Sequence, residues 1–366
     1  MNELPSISKD MVSWDIAQKV ATKISKGSKD IPLVRFQTLE DDFKELTSLA
    51  ENLVGEETGL YSLLGPARAK VATRPDWVNA NIASFQRLIG TISSKFEDHI
   101  KPGIGLNVSK SVAGVQVGVI LGWMSTRVLG QYDLLLVEDD KPEDQDIVYY
   151  VGPNVLELEE KFALPPRQFR LWLALHEVTH RAQFTAVSWM RDHFRSLVQE
   201  GISGLAPDPN QFAAILKRLT NEIRSGKNPF ADSGILGVVA SNEQIEVLKK
   251  IQALMSLLEG HGDITMDRAG KEHLPEAARF SRILRQRRNQ AKGVQKIMQQ
   301  LLGLEAKMRQ YAEGEKFIEK AELLTHPGIL SYAWQGPENL PTLDEISNPK
   351  LWIERVVDRS LVQTTT

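Results

Sequence analysis

His176 and His180 stand four residues apart with Glu177 between them, in the run LWLALHEVTH that spans Leu171 to His180. On an α-helix four residues advance about 40° around the axis, so both imidazoles leave one face, one turn apart. That spacing lets both bind a single Zn²⁺. It also leaves Glu177 beside them, where its carboxylate can take a proton from a water that the ion activates. No Pro or Gly interrupts the run, and Leu171, Leu173, Leu175 and Val178 give it the apolar flank of a buried helix.

A catalytic zinc site needs three protein ligands and one open position. One known arrangement places a third histidine three residues after a glycine that follows the second histidine. Here Gln183 and Ala186 occupy those two positions, which excludes it. A second arrangement takes a Glu from a later helix, and the run LLEGHGD from Leu257 to Asp263 fits it. Glu259 and Asp263 share a helix face, so a Glu259 ligand with Asp263 one turn on can hold zinc and also orient a ligand histidine through its second ring nitrogen. His261, the alternative third ligand, lies about 200° around the helix from Glu259, so the two do not serve one ion together. Apolar Ile251, Leu254, Met255, Leu257 and Leu258 predict that this segment is buried.

H-E-x-x-H followed by E-G-x-x-D resembles the gluzincin branch of zinc metallopeptidases. Further phrases are similar to the bacterial zincin-like hydrolases associated in some genomes with deazaflavin coenzyme biosynthesis. They are WVNANIASF from Trp77, GVQVG from Gly114, VLGQYD from Val128, FRLWLALHEVTHRAQFT from Phe169, MSLLEGH from Met255 and KMRQY from Lys307. The resemblance runs from about Trp14 to Trp352. It implies a zincin-like catalytic core and a hydrolytic activity, and its coenzyme association implies a small-molecule metabolic substrate. The spacer between His180 and Glu259 is longer than gluzincins usually have.

The elements that must position these residues are mostly helical. Apolar spacing predicts helices over 11–26, ending at Gly27, and over 39–54, stopping at Gly55. Asp76 is expected to cap a helix through Trp77, Ile82, Phe85 and Leu88. Val112 to Met124 is the most apolar stretch, yet shorter than the about 20 residues that span a bilayer. Its Gly114, Gly118 and Gly122 predict close packing of a buried soluble helix. An acidic loop from Glu138 to Asp146 reads as solvated. The run 147–151, IVYYV, is the clearest strand and a candidate edge for an extended substrate.

The zinc-motif helix follows Pro166 and is expected to continue helically over 181–200. Connectors at 201–209 and 226–234 bracket a helix through Phe212, Ile215 and Leu219 and suit a flap. Ser241 with Gln244 is a capping box that opens a long helix leading to Glu259. Arg279, Arg282, Arg285, Arg287 and Arg288 read as a solvated helix face. Without interleaved aromatics they do not suggest nucleic-acid binding. Residues 296–320 are expected to be helical and carry Arg309 and Tyr311. The fold class is therefore predominantly α (α+β): an N-terminal helical region, 12–105, packed on a zincin-like catalytic region with a small β element, 112–357, or all one domain.

A net charge of −3 gives no general attraction to nucleic acid or anionic lipid. The absence of cysteine excludes a disulfide framework and a thiolate zinc site. The first residues lack the basic and apolar regions of a secretory signal, so a cytoplasmic location is expected. The reading is a zinc peptidase or amidase acting on a peptide or small amide. His176, His180 and Glu259 hold Zn²⁺, and Glu177 is the general base that then passes the proton to the leaving amine. Tyr311 is the first candidate for stabilising the oxyanion, with Arg309, Tyr149 and Tyr150 behind it. A non-catalytic zinc-binding regulatory or interaction protein is the alternative, and a metal-free helical interaction protein is a third class. Glu177 favours catalysis, because a structural zinc site needs no general base.

Overall fold

Helices dominate the computed structural model, which describes residues 12–25, 31–93, 104–132, 146–203, 242–289 and 304–357. One small three-stranded sheet accompanies them, where the sequence predicted a small β element. The chain divides into two compact units. The first comprises Met1–Lys29, Thr73–Arg127 and Gln199–Gln244, and the second Asp30–Ala72, Val128–Val198 and Ile245–Thr366.

In the first unit, helices α1 (Trp14–Ser25), α3 (Arg74–Ser93) and α4 (Ile104–Ser125) pack together. The glycine stripe of α4 does what its spacing suggested. A Cβ at Gly118 would come within 2.5 Å of the Ala17 carbonyl oxygen, and one at Gly122 within 2.8 Å of Ile24 Cβ. Only glycine allows α1 and α4 to approach so closely. Among the described residues no helix is long and apolar enough to cross a membrane. The start of α3 differs in detail from expectation. Thr73 is its cap, accepting from the Asp76 N–H, while Asp76 bonds back to the Thr73 N–H in a reciprocal box.

In the second unit, β1 (Arg68–Ala72), β2 (Gly130–Tyr132) and β3 (Ile147–Val151) form the sheet in the order β1-β3-β2. β1 runs parallel to β3, and β2 antiparallel to it. The strand expected at 147–151 is therefore present but central. Both of its backbone edges are occupied, so it cannot receive an extended substrate. Its five residues are all buried, which accounts for the uninterrupted apolar and aromatic run.

Helix α2 (Leu33–Thr58) and α5 (Gly152–Phe162) flank α6 (Pro166–Thr185), the zinc-motif helix. α2 runs past the predicted stop at Gly55 and ends at Gly59, whose left-handed backbone (φ 70°) closes it with an N–H···O bond to Gly55. α6 does not continue to residue 200. The Thr185 carbonyl accepts from the Leu63 N–H at 3.2 Å, leaving the helical ladder, and α7 (Met190–Ser203) begins after a turn. α8 (Asn242–Ala269) is apolar on two faces because it lies between two cores. Leu254 and Leu258 join the main core with α6 and β3, and Leu257 and Ile264 join a second core with Phe317, Ile318 and Trp352. α9 (Ala277–Asn289) and α10 (Leu304–Leu324) complete the major helices. Of the connectors expected at 201–209 and 226–234, residues 201–203 close α7; the rest of both, and the helix expected through Phe212, Ile215 and Leu219, lie outside the described residues.

Candidate metal centre

Burial of α6 explains how two histidines come to be held in one place. Phe169, Leu171, Leu173, Leu175 and Val178 all enter the main core, fixing the rotation of the helix. Its lower turns are pinned by Arg170, which donates to Glu159 at 2.7 and 2.8 Å and to Asp42. His176 and His180 consequently meet at the same face, Nε2 to Nε2 at 3.2 Å, with their rings nearly perpendicular.

α8 brings the third group. Glu259 Oε2 lies 3.9 Å from His176 Nε2 and 3.8 Å from His180 Nε2. One ligand atom from each residue falls within 4.8 Å of the others, and no other group of three candidate ligands does so among the described residues. Tetrahedral zinc with bonds of about 2.0–2.1 Å needs ligand atoms roughly 3.4 Å apart. The three separations bracket that value, and two imidazoles with one carboxylate are a donor set suited to Zn²⁺. The residues fit the ion.

Glu177 is buried and turned toward β2, where its Oε2 accepts the Tyr132 N–H at 3.1 Å. A Cβ on Gly130 would stand 2.6 Å from Glu177 Cγ, so the carboxylate lies against a strand that has no side chain there. Burial pushes the Glu177 carboxyl up to about 7. His180 opposes this, Glu259 reinforces it and the Tyr132 N–H opposes it. A carboxyl with that affinity exchanges protons near neutrality. For His180, burial alone would lower the pKa, but the Glu259 and Glu177 carboxylates, the bond to Gln183 and nearby Asp263 together hold it above the usual value.

His261 is not part of this convergence. Its Nδ1 lies 2.9 Å from Gln183 Nε2, and its ring packs edge-on against Trp334. Burial, with the charges of His180 and Arg268, pushes its pKa down to about 3, so it stays neutral. The outer nitrogen of His180 faces Gln183 Oε1 at 3.0 Å, so Gln183 takes the orienting position considered for Asp263 at this histidine. Tyr150 is a core residue: its hydroxyl is 2.9 Å from Thr47 Oγ1 and its ring stacks on Phe43. Tyr149 is buried in β3 with the Lys70 ammonium over its ring. Tyr311 and Arg309 fall in α10, but their side chains lie outside the described residues.

Three features of the site escape a reading by motif. One is Gln183, three residues after His180 and on the same helix face, which was legible from spacing alone. Another is the backbone of β2. The third is a buried charge network beneath both. Arg181 is only 1% exposed. It donates to both Asp146 oxygens, to Glu51 Oε1 and to the Gly65 carbonyl. Asp146 also accepts from the Tyr132 hydroxyl, which in turn accepts from Arg191. Asp146, assigned by composition to a solvated loop, is thus buried, because it neutralises Arg181; 138–145 lie outside the described residues.

The chain matches the zincin-like metallopeptidase family over residues 12–353, and it belongs to that family. A solved structure from Chloroflexus aurantiacus, described as a candidate hydrolase with a novel fold, is similar at 31% sequence identity and a TM-score of 0.68. The match covers 95% of this chain and 99% of that one. No curated protein matches.

Proposed function

We propose that the protein is a zinc-dependent hydrolase of peptides or small amides, with the gluzincin arrangement of two helical histidines and a later glutamate. The observation that carries this reading is the convergence of His176, His180 and Glu259 beside a buried Glu177. Family membership and the hydrolase description of the similar Chloroflexus protein support it. His176 Nε2, His180 Nε2 and Glu259 Oε2 hold the ion. Zn²⁺, when bound, supplies a Lewis acid for the scissile carbonyl and makes water acidic enough to ionise near neutral pH.

Glu177 takes the proton of the attacking water and delivers it to the leaving nitrogen. Its bond from the Tyr132 N–H aims one oxygen and leaves the other for this exchange. Tyr311 is the proposed hydrogen-bond donor to the oxyanion. The family resemblance to proteins associated with deazaflavin coenzyme biosynthesis makes small metabolic amides the first substrates to screen alongside peptides.

The test is elemental analysis of purified protein followed by hydrolysis assays. One zinc per chain is expected in the wild type, with loss in His176→Ala and Glu259→Ala. Glu177→Gln should keep zinc and lose about 10²–10⁴-fold in turnover, the usual contribution of a general base. Wild-type protein that takes up no zinc would sink the reading. Zinc binding with no turnover on any peptide or amide would leave a metal-binding protein without the proposed activity.

A further inference from the structure

The amide of Gln183 makes three polar contacts at once, and their chemistry permits one arrangement. Its Nε2 lies 2.9 Å from the Leu258 carbonyl and 2.9 Å from His261 Nδ1, and its Oε1 lies 3.0 Å from His180 Nδ1. A carbonyl only accepts, so the nitrogen must face Leu258. The oxygen is then forced toward His180, and a carbonyl oxygen can be satisfied there only if His180 Nδ1 carries a hydrogen. A neutral imidazole has one N–H, so the Nε2 of His180 is left with its lone pair. That is the nitrogen which faces His176 and Glu259. By the same reasoning His261 Nδ1 accepts, so His261 carries its hydrogen on Nε2. Gln183 is fully buried, and its neighbours in the site leave it no second orientation.

We infer that Gln183 is a positioning residue of the metal centre, fixing His180 as the Nδ1–H tautomer and tying α8 to α6 on either side of Glu259. The inference rests on the zinc reading for its consequence but not for its geometry. Leu258 immediately precedes Glu259 and His261 follows it by two residues, so the amide spans the segment that supplies the third ligand. Partners of this kind, which bond the outer nitrogen of a ligand histidine, typically contribute 10- to 100-fold in metal affinity, as an order of magnitude of about that size.

Two variants separate the roles of the two ends of the amide. Gln183→Met removes every contact. Gln183→Glu keeps an oxygen acceptor for His180 and removes the donations to Leu258 and His261. Zinc affinity, read by competition against a chromogenic chelator, is expected to fall about 10–100-fold in Gln183→Met and to return close to wild type in Gln183→Glu. Thermal melting of the metal-free proteins should fall in both, because both lose the tie to α8. Equal loss of zinc affinity in the two variants, or wild-type affinity in Gln183→Met, overturns the inference.

The tautomer is tested on the wild type without any substitution. In metal-free protein with ¹⁵N-labelled histidine, at alkaline pH, His180 should show a protonated Nδ1 and an unprotonated Nε2. The opposite tautomer overturns the inference even if a variant fails to fold. Failure of wild-type protein to bind zinc would instead remove the proposed function, and the tautomer result would still stand or fall by itself.

Discussion

At the scale of single residues, the site is held by contacts that leave little room for error. Glu177 is held against β2, bonded to the Tyr132 N–H and packed on the bare backbone of Gly130. Gly130→Ala would place a methyl group where the carboxylate now lies, and the flexible glutamate is the part that gives way. The expected outcome is near-normal zinc content and melting temperature with turnover lowered about 10²-fold, since a misplacement of roughly 1 Å costs that much. Kinetics and elemental analysis on one preparation check it. Arg181 makes the opposite prediction. Its loss leaves the buried Asp146 carboxylate without a counter-charge and Glu51 with only the Ala67 N–H as donor, and breaking a buried pair costs about 3–5 kcal/mol. Arg181→Met should therefore lower stability by that amount in urea denaturation. At this scale the sequence was most legible where chemistry demands a residue type at a fixed spacing, as at His176, Glu177 and His180. Arg181 carries no motif, because its partners come from distant segments.

At the scale of elements, most helices followed from apolar periodicity, though α5 (Gly152–Phe162) did not, and some helix ends were decided by tertiary contacts. α6 ends where Leu63 captures the Thr185 carbonyl, and α2 outruns Gly55, which is small because the Tyr61 ring packs over it. Leu63 is far from Thr185 in sequence, so no local signal announced the end of α6, whereas Gly59 ends α2 by the ordinary left-handed glycine cap. Pairing order was equally hidden: IVYYV reads alike in a central strand and an edge strand, and only β1 and β2 decide between them. The crossing of α8 and α10 shows what an element contact does for the site. A Cβ at Gly314 would collide with the Ser256 carbonyl, and one at Gly260 with the backbone of Gly314 and Glu315. Gly260 is the neighbour of Glu259. Gly314→Ala should push the helices apart, costing about 1–3 kcal/mol by overpacking. It should also weaken zinc binding, because Glu259 moves with α8. Denaturation of the metal-free protein and chelator competition measure the two effects separately. Unchanged affinity in a destabilised variant would show that the crossing does not set the ligand position.

At the scale of the whole molecule, distant segments are joined both by the proposed ion and by ion pairs of ordinary kind. The proposed ligands come from both α6 and α8, so zinc is expected to bind the folded chain alone, and a thousandfold excess over Kd should add about 4 kcal/mol of stability. Chelation should lower the melting temperature accordingly. The ion pairs set the acid limit. The guanidinium of Arg268, at the end of α8, bonds to both oxygens of Glu322 in α10 and holds its carboxyl below the usual 4.5. Burial works against the Glu345 carboxyl, but bonds from Arg355 and the Thr342 N–H outweigh it and lower its pKa too. Arg355 also donates to the carbonyls of Glu338 and Leu340, so this pair organises the C-terminal turns. A carboxyl whose pKa is lower in the folded state binds its proton more readily when unfolded. Its stabilisation is present above pH 4.5 and is lost as the pH falls through the lowered folded value. Unfolding free energy of the metal-free protein should thus decline across that window. Glu322→Gln and Glu345→Gln should each start less stable and decline less steeply than wild type. A variant that keeps the wild-type slope would assign the acid sensitivity to other carboxylates.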